Sequence, residues 1–355
     1  MSAPHIVILA GGTGGHIFPG LAVAAALRSR DAEVSWMGAD GAMETRLVPA
    51  QAIPLHTLRI ASWRGRGLWR WFGAPWQLLR AVWEAMRILK QLRPHAVISF
   101  GGFAAGPGGL AAWLLRMPLL VHEQNRAPGL TNRVLAKLAR RVLCGFPQSF
   151  AAREEVVGNP VRREILDLPA PAVRAQTRTG ISVLILGGSQ GAAALNRQLP
   201  QALHGLAPGV RIRHQCGPRH VAATQAAYAD ARVDAEVTGF VDDMPTAYAQ
   251  ADLVICRAGA STLAELCAAG VCSVLVPLPT AADDHQTRNA AYLCEQGAAV
   301  MVAEGADFER RMQQVVSELL SSGERRLQMA EAARNLARPF AAQQVAAACL
   351  EEVAA

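Results

Sequence analysis

Short apolar runs alternate with longer alanine-rich stretches along the whole chain. The runs are rich in leucine and β-branched residues, which is typical of strands buried on both faces of a parallel sheet. We predict two series of strands, at 5–10, 33–37, 53–58, 95–100, 118–122 and 141–144, and at 182–186, 210–215, 235–238, 252–256, 272–276 and 298–302. Helices are predicted between strands, for example at 19–30, 75–92, 131–139 and 261–269. This order predicts an α/β protein with parallel sheets covered by helices.

The two series begin in the same way. "IVILAGGTGGH" opens the first and "VLILGGSQGAAALN" opens the second, and each reads as a strand, a glycine turn and a helix. The segment at 160–180 is rich in proline and charge, and we predict a linker there. Ligands of open parallel sheets bind beyond the carboxyl ends of the strands, so two such domains facing each other would place both turns on one cleft.

Composition narrows the class of protein. The chain has 355 residues, of which 51% are hydrophobic and 18% charged, so two globular domains are expected and disorder is not. Its seven cysteines form no C-x-x-C pair, which favours reduced thiols in a cytosolic protein. The start, "MSAPHIVILAGG", has no basic leader, and the longest apolar segments are interrupted by Arg116 and Pro118. We therefore expect neither a signal peptide nor a membrane-spanning helix.

Three glycine turns follow predicted strands: the first at 11–16 ("GGTGGH"), the second at 101–109 ("GGFAAGPGG") and the third at 187–192 ("GGSQGA"). The first is neither a Walker loop, since no Gly-Lys-Ser/Thr follows, nor a dinucleotide fingerprint, since Ile17 occupies the position of the last glycine. A glycine turn that opens a helix presents backbone N–H groups to phosphate, although tight packing can also require glycine. Two diphosphates, one per domain, would account for the three turns.

Polar residues cluster at other predicted strand ends. "PLLVHEQNRAPG" contains His122, Glu123, Gln124 and Asn125. "VVGNPVR" brings Arg162 to the junction between the halves, where a guanidinium can bind a diphosphate with two hydrogen bonds.

The segment "VICRAGASTLAELCAAG" carries Glu265 just after a predicted strand. Ser261 or Thr262 together with Glu265 also resembles a helix capping box, a purely structural alternative. In "VPLPTAADDHQTRNA", Asp283 and Asp284 have no convincing further metal ligands beside them. We therefore predict no metal site.

Together these segments resemble the MurG family of bacterial peptidoglycan glycosyltransferases. The similarity is carried, in order and spacing, by "GGTGGHIFPGLAVA", "HEQN" followed by "GLTN", "VGNPVR", "GGSQGA" and "GASTLAE". It extends from about residue 5 to about residue 345. One departure is Ala105 in the second glycine turn, where the family often has serine, so only a backbone role is implied there.

The resemblance implies a GT-B fold, with two Rossmann-like parallel-sheet domains facing a cleft. Residues 1–161 with a returning helix at 340–355 would bind the acceptor and the membrane, and 162–339 would bind the donor. The implied reaction transfers N-acetylglucosamine from UDP-N-acetylglucosamine to undecaprenyl-pyrophosphoryl-N-acetylmuramyl-pentapeptide, with inversion and without a metal or cofactor. The implied location is peripheral, on the cytoplasmic face of the inner membrane.

The resemblance also implies roles for individual residues. The Val241 backbone would read uracil and Glu265 would bind the ribose hydroxyls. Arg162 and Ser189 would hold the diphosphate, and Gln286 and Asn125 would select the sugar. The full implied donor-binding set is Thr13, Gly14, Gly15, Asn125, Arg162, Ser189, Val241, Ala260, Ser261, Thr262, Leu263, Ala264, Glu265 and Gln286.

Inverting transfer needs a base that takes the proton from the acceptor hydroxyl. His16 ends the first glycine turn, and histidine titrates near neutrality. A lone histidine is more often structural, but the resemblance implies a catalytic role on the acceptor side. Glu123 is the rival base.

Three other classes of protein stay open. Another GT-B enzyme acting on a UDP-sugar, such as an epimerase or a lipid glycosyltransferase, is disfavoured only by the combination of "GGTGGH" with "HEQN". A nicotinamide oxidoreductase is disfavoured because both glycine turns fail the G-x-G-x-x-G register. A non-enzymatic nucleotide-binding or membrane-adaptor protein would leave the polar cluster around His16 and His122 unexplained.

The net charge of +7 is concentrated in one window. Residues 59–93 contain eight arginines and lysines against Glu84 alone, together with five of the seven tryptophans. We predict a helix from Pro75, with an apolar stripe that is ordinary core on one reading and consists of Leu79, Val82, Trp83, Met86 and Leu89. Tryptophan and arginine together are typical of a membrane interface, and no nucleic-acid module surrounds them, so we expect an anionic lipid surface as partner and no nucleic acid. The predicted membrane patch is Arg66, Trp69, Arg70, Trp71 and Phe72.

Overall fold

The computed structural model describes residues 3–59, 70–150, 153–176, 178, 180–188, 191–206 and 209–354, with backbone alone at 70–75 and 282. Its strands are β1 (His5–Ala10), β2 (Glu33–Ala39), β3 (Leu55–Leu58), β4 (Ala96–Gly101), β5 (Leu119–Glu123), β6 (Arg141–Cys144), β7 (Glu154–Val156), β8 (Ile181–Leu186), β9 (Val210–Gln215), β10 (Glu236–Thr238), β11 (Leu253–Cys256), β12 (Ser273–Leu275) and β13 (Ala299–Met301). Its α-helices are α1 (Gly14–Arg28), α2 (Glu44–Leu47), α3 (Arg70–Leu92), α4 (Ala105–Leu114), α5 (Leu130–Leu135), α6 (Arg163–Leu166), α7 (Pro171–Gln176), α8 (Ala193–Ala202), α9 (Val221–Asp230), α10 (Met244–Gln250), α11 (Ala260–Ala269), α12 (His285–Glu295), α13 (Phe308–Ser321), α14 (Gly323–Asn335) and α15 (Ala341–Ala354).

The chain divides into two compact units. The first unit consists of residues 1–161 and 338–355, and the second unit of residues 162–337. The first contains a seven-stranded parallel sheet in the order β3-β2-β1-β4-β5-β6-β7, and the second a six-stranded parallel sheet in the order β10-β9-β8-β11-β12-β13. The predicted α/β class with two parallel-sheet domains is confirmed.

Each sheet is buried on both faces, which explains the continuous apolar runs. In β1, Ile6 and Ile8 pack with α1 and α15, whereas Val7 and Leu9 pack with α3 and α4 on the other face. In the second unit, strands β8, β9, β11 and β12 share a core with α8 and α13. This layering leaves the loops at the carboxyl ends of the strands outside the core.

The order of strands reverses between β1 and β4 in the first unit and between β8 and β11 in the second. Such switch points are where open parallel sheets bind ligands. The first and second glycine turns follow β1 and β4, and the third follows β8. Each unit therefore carries glycine turns at its own switch point.

Three local predictions are wrong. Strand β7 was not predicted, because "EEV" is short and polar and lies at a sheet edge. The predicted linker at 160–180 contains the short helices α6 and α7, which pack within the second unit. Helix α3 begins at Arg70 and not at Pro75.

The predicted apolar stripe of α3 is also wrong in part. Val82 and Leu89 are buried, but Leu79 and Trp83 are 60% and 64% exposed. The face that packs on the sheet instead includes Ala85. Alanine was not recognised as a core position because it is common on both faces of helices.

Candidate active site

The first glycine turn joins the end of β1 to the start of α1. Thr13 is the N-cap residue of α1 in an extended conformation (φ −136°, ψ 155°), and its side chain makes no capping hydrogen bond. Gly12, Thr13 and Gly15 are exposed, whereas Gly11 is buried. The positive end of the α1 dipole therefore meets solvent at this turn, where it favours an anion.

A buried carboxylate anchors the first glycine turn. Glu44 accepts hydrogen bonds from the backbone N–H groups of Gly12 (3.1 Å) and Ala39 (2.8 Å). A Cβ atom at Gly11 would overlap Glu44 Oε1, so close packing of this carboxylate accounts for glycine there. Glu44 was not among the residues predicted from the sequence. Its signal is the isolated acid of "GAMETRL", shortly after the end of β2.

The second glycine turn packs directly on the first. Gly102 has φ +95°, and a Cβ atom there would overlap the carbonyl oxygen of Gly11. A Cβ atom at Gly101 would lie 3.4 Å from His16 Nε2 and 3.3 Å from Asn132 Nδ2. Close packing between the two turns therefore explains these glycines without a diphosphate.

His16 is oriented by the turn that precedes it. Its Nδ1 lies 3.2 Å from the carbonyl oxygen of Gly11 and 3.4 Å from Thr13 Oγ1. Because a carbonyl only accepts hydrogen bonds, the shorter contact assigns the proton of the neutral ring to Nδ1. Nε2 then carries the lone pair, which is the arrangement a proton acceptor requires.

Glu123 has a different environment from His16. Its Oε1 accepts hydrogen bonds from the backbone N–H (2.9 Å) and Nδ2 (3.1 Å) of Asn125. Its Oε2 accepts hydrogen bonds from the Gly129 N–H (3.2 Å) and Asn132 Nδ2 (3.1 Å). The side chain is buried, and the four donors make it the organising group of the loop after β5.

His122 lies inside β5 and is fully buried. Its Nε2 donates to the Gly158 carbonyl (3.0 Å), and its Nδ1 accepts from Gln124 Nε2 (3.0 Å). Burial lowers the pKa of His122 to about 4, so the ring is neutral at physiological pH. Together with Asn159, whose Nδ2 donates to the Gln124 carbonyl, it fastens the segment before the unit boundary.

In the second unit the described part of the third glycine turn is held by Gln215, at the end of β9. The Gly188 N–H donates to Gln215 Oε1, and Gln215 Nε2 donates to the carbonyls of Gly188 and Gly239, each over 3.1 Å. Gly239 precedes the buried Val241 by two residues. Gln215 thus links the turn to the segment predicted to read uracil. Ser189 lies outside the described residues.

Glu265 lies on α11 and meets two other segments of the second unit. Its Oε1 accepts a hydrogen bond from Arg162 Nη2, and its Oε2 accepts one from the Tyr248 hydroxyl, both over 3.0 Å. Burial raises the pKa of Glu265, and the contacts with Arg162 and Tyr248 oppose that rise. The structure therefore brings two of the predicted donor residues, Arg162 and Glu265, into direct contact.

The capping-box alternative for Glu265 is wrong. The N-cap of α11 is Gly259, which has no side chain with which to cap the helix, and Glu265 lies beyond the first turn. The predicted donor residues Ala260, Ser261, Thr262, Leu263 and Ala264 form the first turn and a half of α11. Gln286 Oε1 accepts a hydrogen bond from the Leu278 N–H (2.9 Å), which folds the proline-rich loop onto α12. Among the first-unit residues, Thr13 is the N-cap of α1, Gly14 and Gly15 are its first two residues, and Asn125 lies in the loop after β5.

The structure describes no side chain of the predicted membrane patch. Arg66 and Trp69 lie outside the described residues, and of Arg70, Trp71 and Phe72 only the backbone is described, in the first turn of α3. In the part of the chain that the structure describes, no helix has the length and apolarity to cross a membrane.

Comparison with known proteins places both units in one family. Residues 6–144 match the glycosyltransferase family 28 N-terminal domain, and residues 182–345 match its C-terminal domain. A relative from Xanthomonas campestris pv. campestris (strain B100) is 61% identical over 353 residues, which cover 99% of this chain and 82% of the relative. A relative from Xylella fastidiosa (strain M12) is 58% identical over 351 residues, covering 98% of this chain and 96% of the relative.

Both relatives are named UDP-N-acetylglucosamine--N-acetylmuramyl-(pentapeptide) pyrophosphoryl-undecaprenol N-acetylglucosamine transferase. The crystal structure of Acinetobacter baumannii MurG superimposes with a TM-score of 0.85 at 42% identity, covering 98% of this chain and 99% of that chain. The resemblance seen in the motifs is confirmed. This chain belongs to glycosyltransferase family 28 and, within it, to the MurG family.

Proposed function

We propose that this chain transfers N-acetylglucosamine from UDP-N-acetylglucosamine to undecaprenyl-pyrophosphoryl-N-acetylmuramyl-pentapeptide, with inversion, in peptidoglycan synthesis. The observation that carries the proposal is the full-length match. Relatives named for this transfer align with 98–99% of the chain at 58–61% identity, over both units.

The second unit would hold the donor. Glu265 keeps lone pairs beyond those used by Arg162 and Tyr248, and the ribose hydroxyls can donate to them. Arg162 has five N–H donors in a planar fork, so its contact with Glu265 does not prevent it from also binding the diphosphate. Its positive charge and the N-terminus of α8 would stabilise the charge that develops on departing UDP.

The first unit would activate the acceptor. The acceptor hydroxyl oxygen attacks the anomeric carbon, the bond from that carbon to UDP breaks, and the hydroxyl proton passes to His16 Nε2. The hydrogen bond from His16 Nδ1 to the Gly11 carbonyl supports this assignment, because it presents Nε2 as the proton acceptor. Protonation of Glu123 would disrupt some of its four hydrogen bonds, so we favour His16 over Glu123 as the base.

One incubation tests the reaction. Purified protein is mixed with UDP-N-acetylglucosamine and a short-chain analogue of the muramyl-pyrophosphoryl lipid, and both UDP and the disaccharide product are measured. We expect equal amounts of the two, and neither when the acceptor is omitted. Conversion of the sugar nucleotide without the acceptor would instead favour an epimerase.

We also propose that the enzyme docks on the anionic cytoplasmic face of the inner membrane through the start of α3. Besides the predicted residues Arg66, Trp69, Arg70, Trp71 and Phe72, the described part of this helix exposes Trp76 (76%), Leu79 and Trp83 at i, i+3 and i+7. Arg80, Arg87 and Lys90 are exposed on the same helix. Exposed tryptophans among cations suit the headgroup layer, and each cation near it contributes about 1 kcal/mol.

Vesicle co-sedimentation tests the docking. Serine at Trp76 and Trp83 should lower binding to anionic vesicles, and further changes of Trp69, Trp71 and Phe72 to serine and of Arg66 and Arg70 to glutamate should abolish it. Activity on a short, soluble acceptor should persist in both variants. The control is Phe340→Ser, which removes another exposed aromatic of the first unit, next to α15 on the other face of the sheet. Equal binding of wild type and variants would exclude this surface.

A further inference from the structure

Tyr248 is a buried polar residue that the reaction described above does not use. It lies on α10 in the second unit, and its side chain is fully buried. Its hydroxyl is 3.0 Å from Glu265 Oε2. Buried tyrosine hydroxyls are normally hydrogen-bonded, and here the bond is to the carboxylate to which we assign the ribose.

In this hydrogen bond Tyr248 is the donor and Glu265 is the acceptor. Burial raises the pKa of Tyr248 well above its ordinary value, so the hydroxyl stays protonated and donates to the carboxylate. A hydrogen bond to an ionised acceptor is about twice as strong as one between neutral groups. It therefore constrains where the second carboxylate oxygen can lie.

The two partners of Glu265 differ in their freedom to move. The Arg162 side chain is 37% exposed and is itself assigned to the diphosphate, so a bound nucleotide would contact it directly. Tyr248 is enclosed by the core and is fixed in place by packing. Of the two contacts, the Tyr248 hydroxyl is the one that a bound nucleotide would leave unchanged.

We propose that Tyr248 is a positioning residue of the donor site, whose hydroxyl holds the Glu265 carboxylate in the orientation that accepts the ribose hydroxyls. This inference rests on the proposed function, because it requires Glu265 to bind the ribose. It assigns nucleotide selectivity for ribose to a residue that does not touch the nucleotide.

The test compares Tyr248→Phe with a matched control in the same unit. Tyr228 is also buried, and its hydroxyl donates to His214 Nδ1 over 2.9 Å, away from Glu265. Tyr228→Phe therefore removes the same atom from a similar environment. For wild type and both variants, calorimetry measures the dissociation constants of UDP and of 2′,3′-dideoxy-UDP. The quantity compared is the ratio of these two dissociation constants for each protein. Because both constants are measured on one preparation, the ratio does not depend on the fraction of that protein that is folded.

Wild type should bind UDP about tenfold or more tightly than the dideoxy analogue, the effect of losing at least one hydrogen bond to a charged group. In Tyr248→Phe this ratio should fall to about threefold or less, with the affinity for the analogue within about twofold of wild type. Tyr228→Phe should keep the wild-type ratio. In steady state, Tyr248→Phe should raise KM for UDP-N-acetylglucosamine with kcat within about twofold.

The outcomes separate the two proposals. A wild-type ratio retained in Tyr248→Phe would overturn the positioning role and leave the donor site intact. A wild type that does not distinguish UDP from the analogue would overturn the assignment of Glu265 to the ribose, and the role of Tyr248 with it. A second measurement uses Glu265→Gln, on which Tyr248→Phe should have no added effect on the ratio. A full added effect there would mean that Tyr248 acts through another residue.

Discussion

The described residues of the first and third glycine turns have two features in common. Each follows the strand at the switch point of its sheet, and the second glycine of each has a positive φ, +87° at Gly12 and +80° at Gly188. In each turn, the N–H of that glycine donates a hydrogen bond of 3.1 Å to a buried side chain from the neighbouring strand's end or the loop after it. This anchoring side chain is Glu44, after β2, in the first unit and Gln215, the last residue of β9, in the second. The geometry is shared, and the charge of the anchor is not.

The difference in charge suits the two predicted tasks. Gln215 is neutral and also donates to two carbonyls, so it ties the third turn together without repelling a nucleotide diphosphate. Glu44 only accepts, and it places a negative charge beside Gly11, the residue whose carbonyl orients His16. We expect that charge to stabilise the positive charge that His16 would acquire on taking a proton. In the described residues, the two turns thus share the glycine geometry and differ in the charge of the anchor.

The largest effect should come from removing the proposed base. We expect His16→Ala to lower kcat by roughly 10²–10⁴, the usual contribution of one positioned proton-transfer group. The UDP dissociation constant should stay near wild type, since His16 belongs to the first unit. Stopped-flow or coupled assays of UDP release would measure the rate. A fall of less than tenfold would place the base elsewhere, with Glu123 the next candidate.

The next effect should come from giving the third turn the anchor of the first. We expect Gln215→Glu to weaken UDP binding about 100-fold, because a carboxylate near the diphosphate adds repulsion at intermediate dielectric and cannot donate to Gly188 and Gly239. Gln215→Met separates these causes, since it removes the hydrogen bonds without adding charge, and should cost about tenfold. Equal losses in the two variants would show that charge is not what distinguishes the turns.

A smaller effect should appear in the pH dependence of UDP binding. Burial raises the pKa of Glu265, so this carboxylate is neutralised at a higher pH than an exposed one. Because the ribose hydroxyls donate to the ionised form, affinity should fall as pH is lowered through that raised pKa. UDP also titrates, so the measurement is the ratio of wild-type to Glu265→Gln affinity from about pH 8 to about pH 5. The ratio should shrink by several-fold toward acid. A constant ratio would mean that Glu265 stays ionised throughout or does not bind UDP.

Strands could be predicted from the sequence wherever burial imposes a continuous apolar run. Residues 5–10 were predicted for β1 and are observed as His5–Ala10. The same signal is missing from the polar edge strand β7, and it is ambiguous in α3, where Trp83 is exposed although it is apolar. Hydrophobicity alone does not distinguish a core residue from one that faces a membrane or partner.

The polar site was predictable only where its residues stand next to glycine turns or in recognisable motifs. His16 and Glu265 were predicted in this way. Glu44, Gln215 and Tyr248 act on those segments from other strands and helices, so they become visible only when the sheet brings them together. The signals of Glu44 and Gln215, an acid or an amide near a strand end, are too common to be selective, and a tyrosine inside a helix such as Tyr248 gives no signal.

The smallest effect on nucleotide binding should come from giving the first turn a neutral anchor. In Glu44→Gln, the amide oxygen can accept from Gly12 or Ala39, but the amide nitrogen then faces the other N–H. One buried donor loses its partner, which should lower the free energy of unfolding by about 1–3 kcal/mol. UDP affinity, which we assign to the second unit, should stay within about twofold of wild type.

Loss of the negative charge beside Gly11 should lower kcat severalfold. This effect should be larger than that of Thr13→Ala, which removes the hydroxyl near the same histidine without changing charge. Denaturant unfolding, UDP calorimetry and turnover are measured on the same preparations. A kcat equal to that of wild type, at a reduced stability, would make Glu44 an anchor of the backbone without influence on His16, and the charge difference between the two turns would then be irrelevant to catalysis.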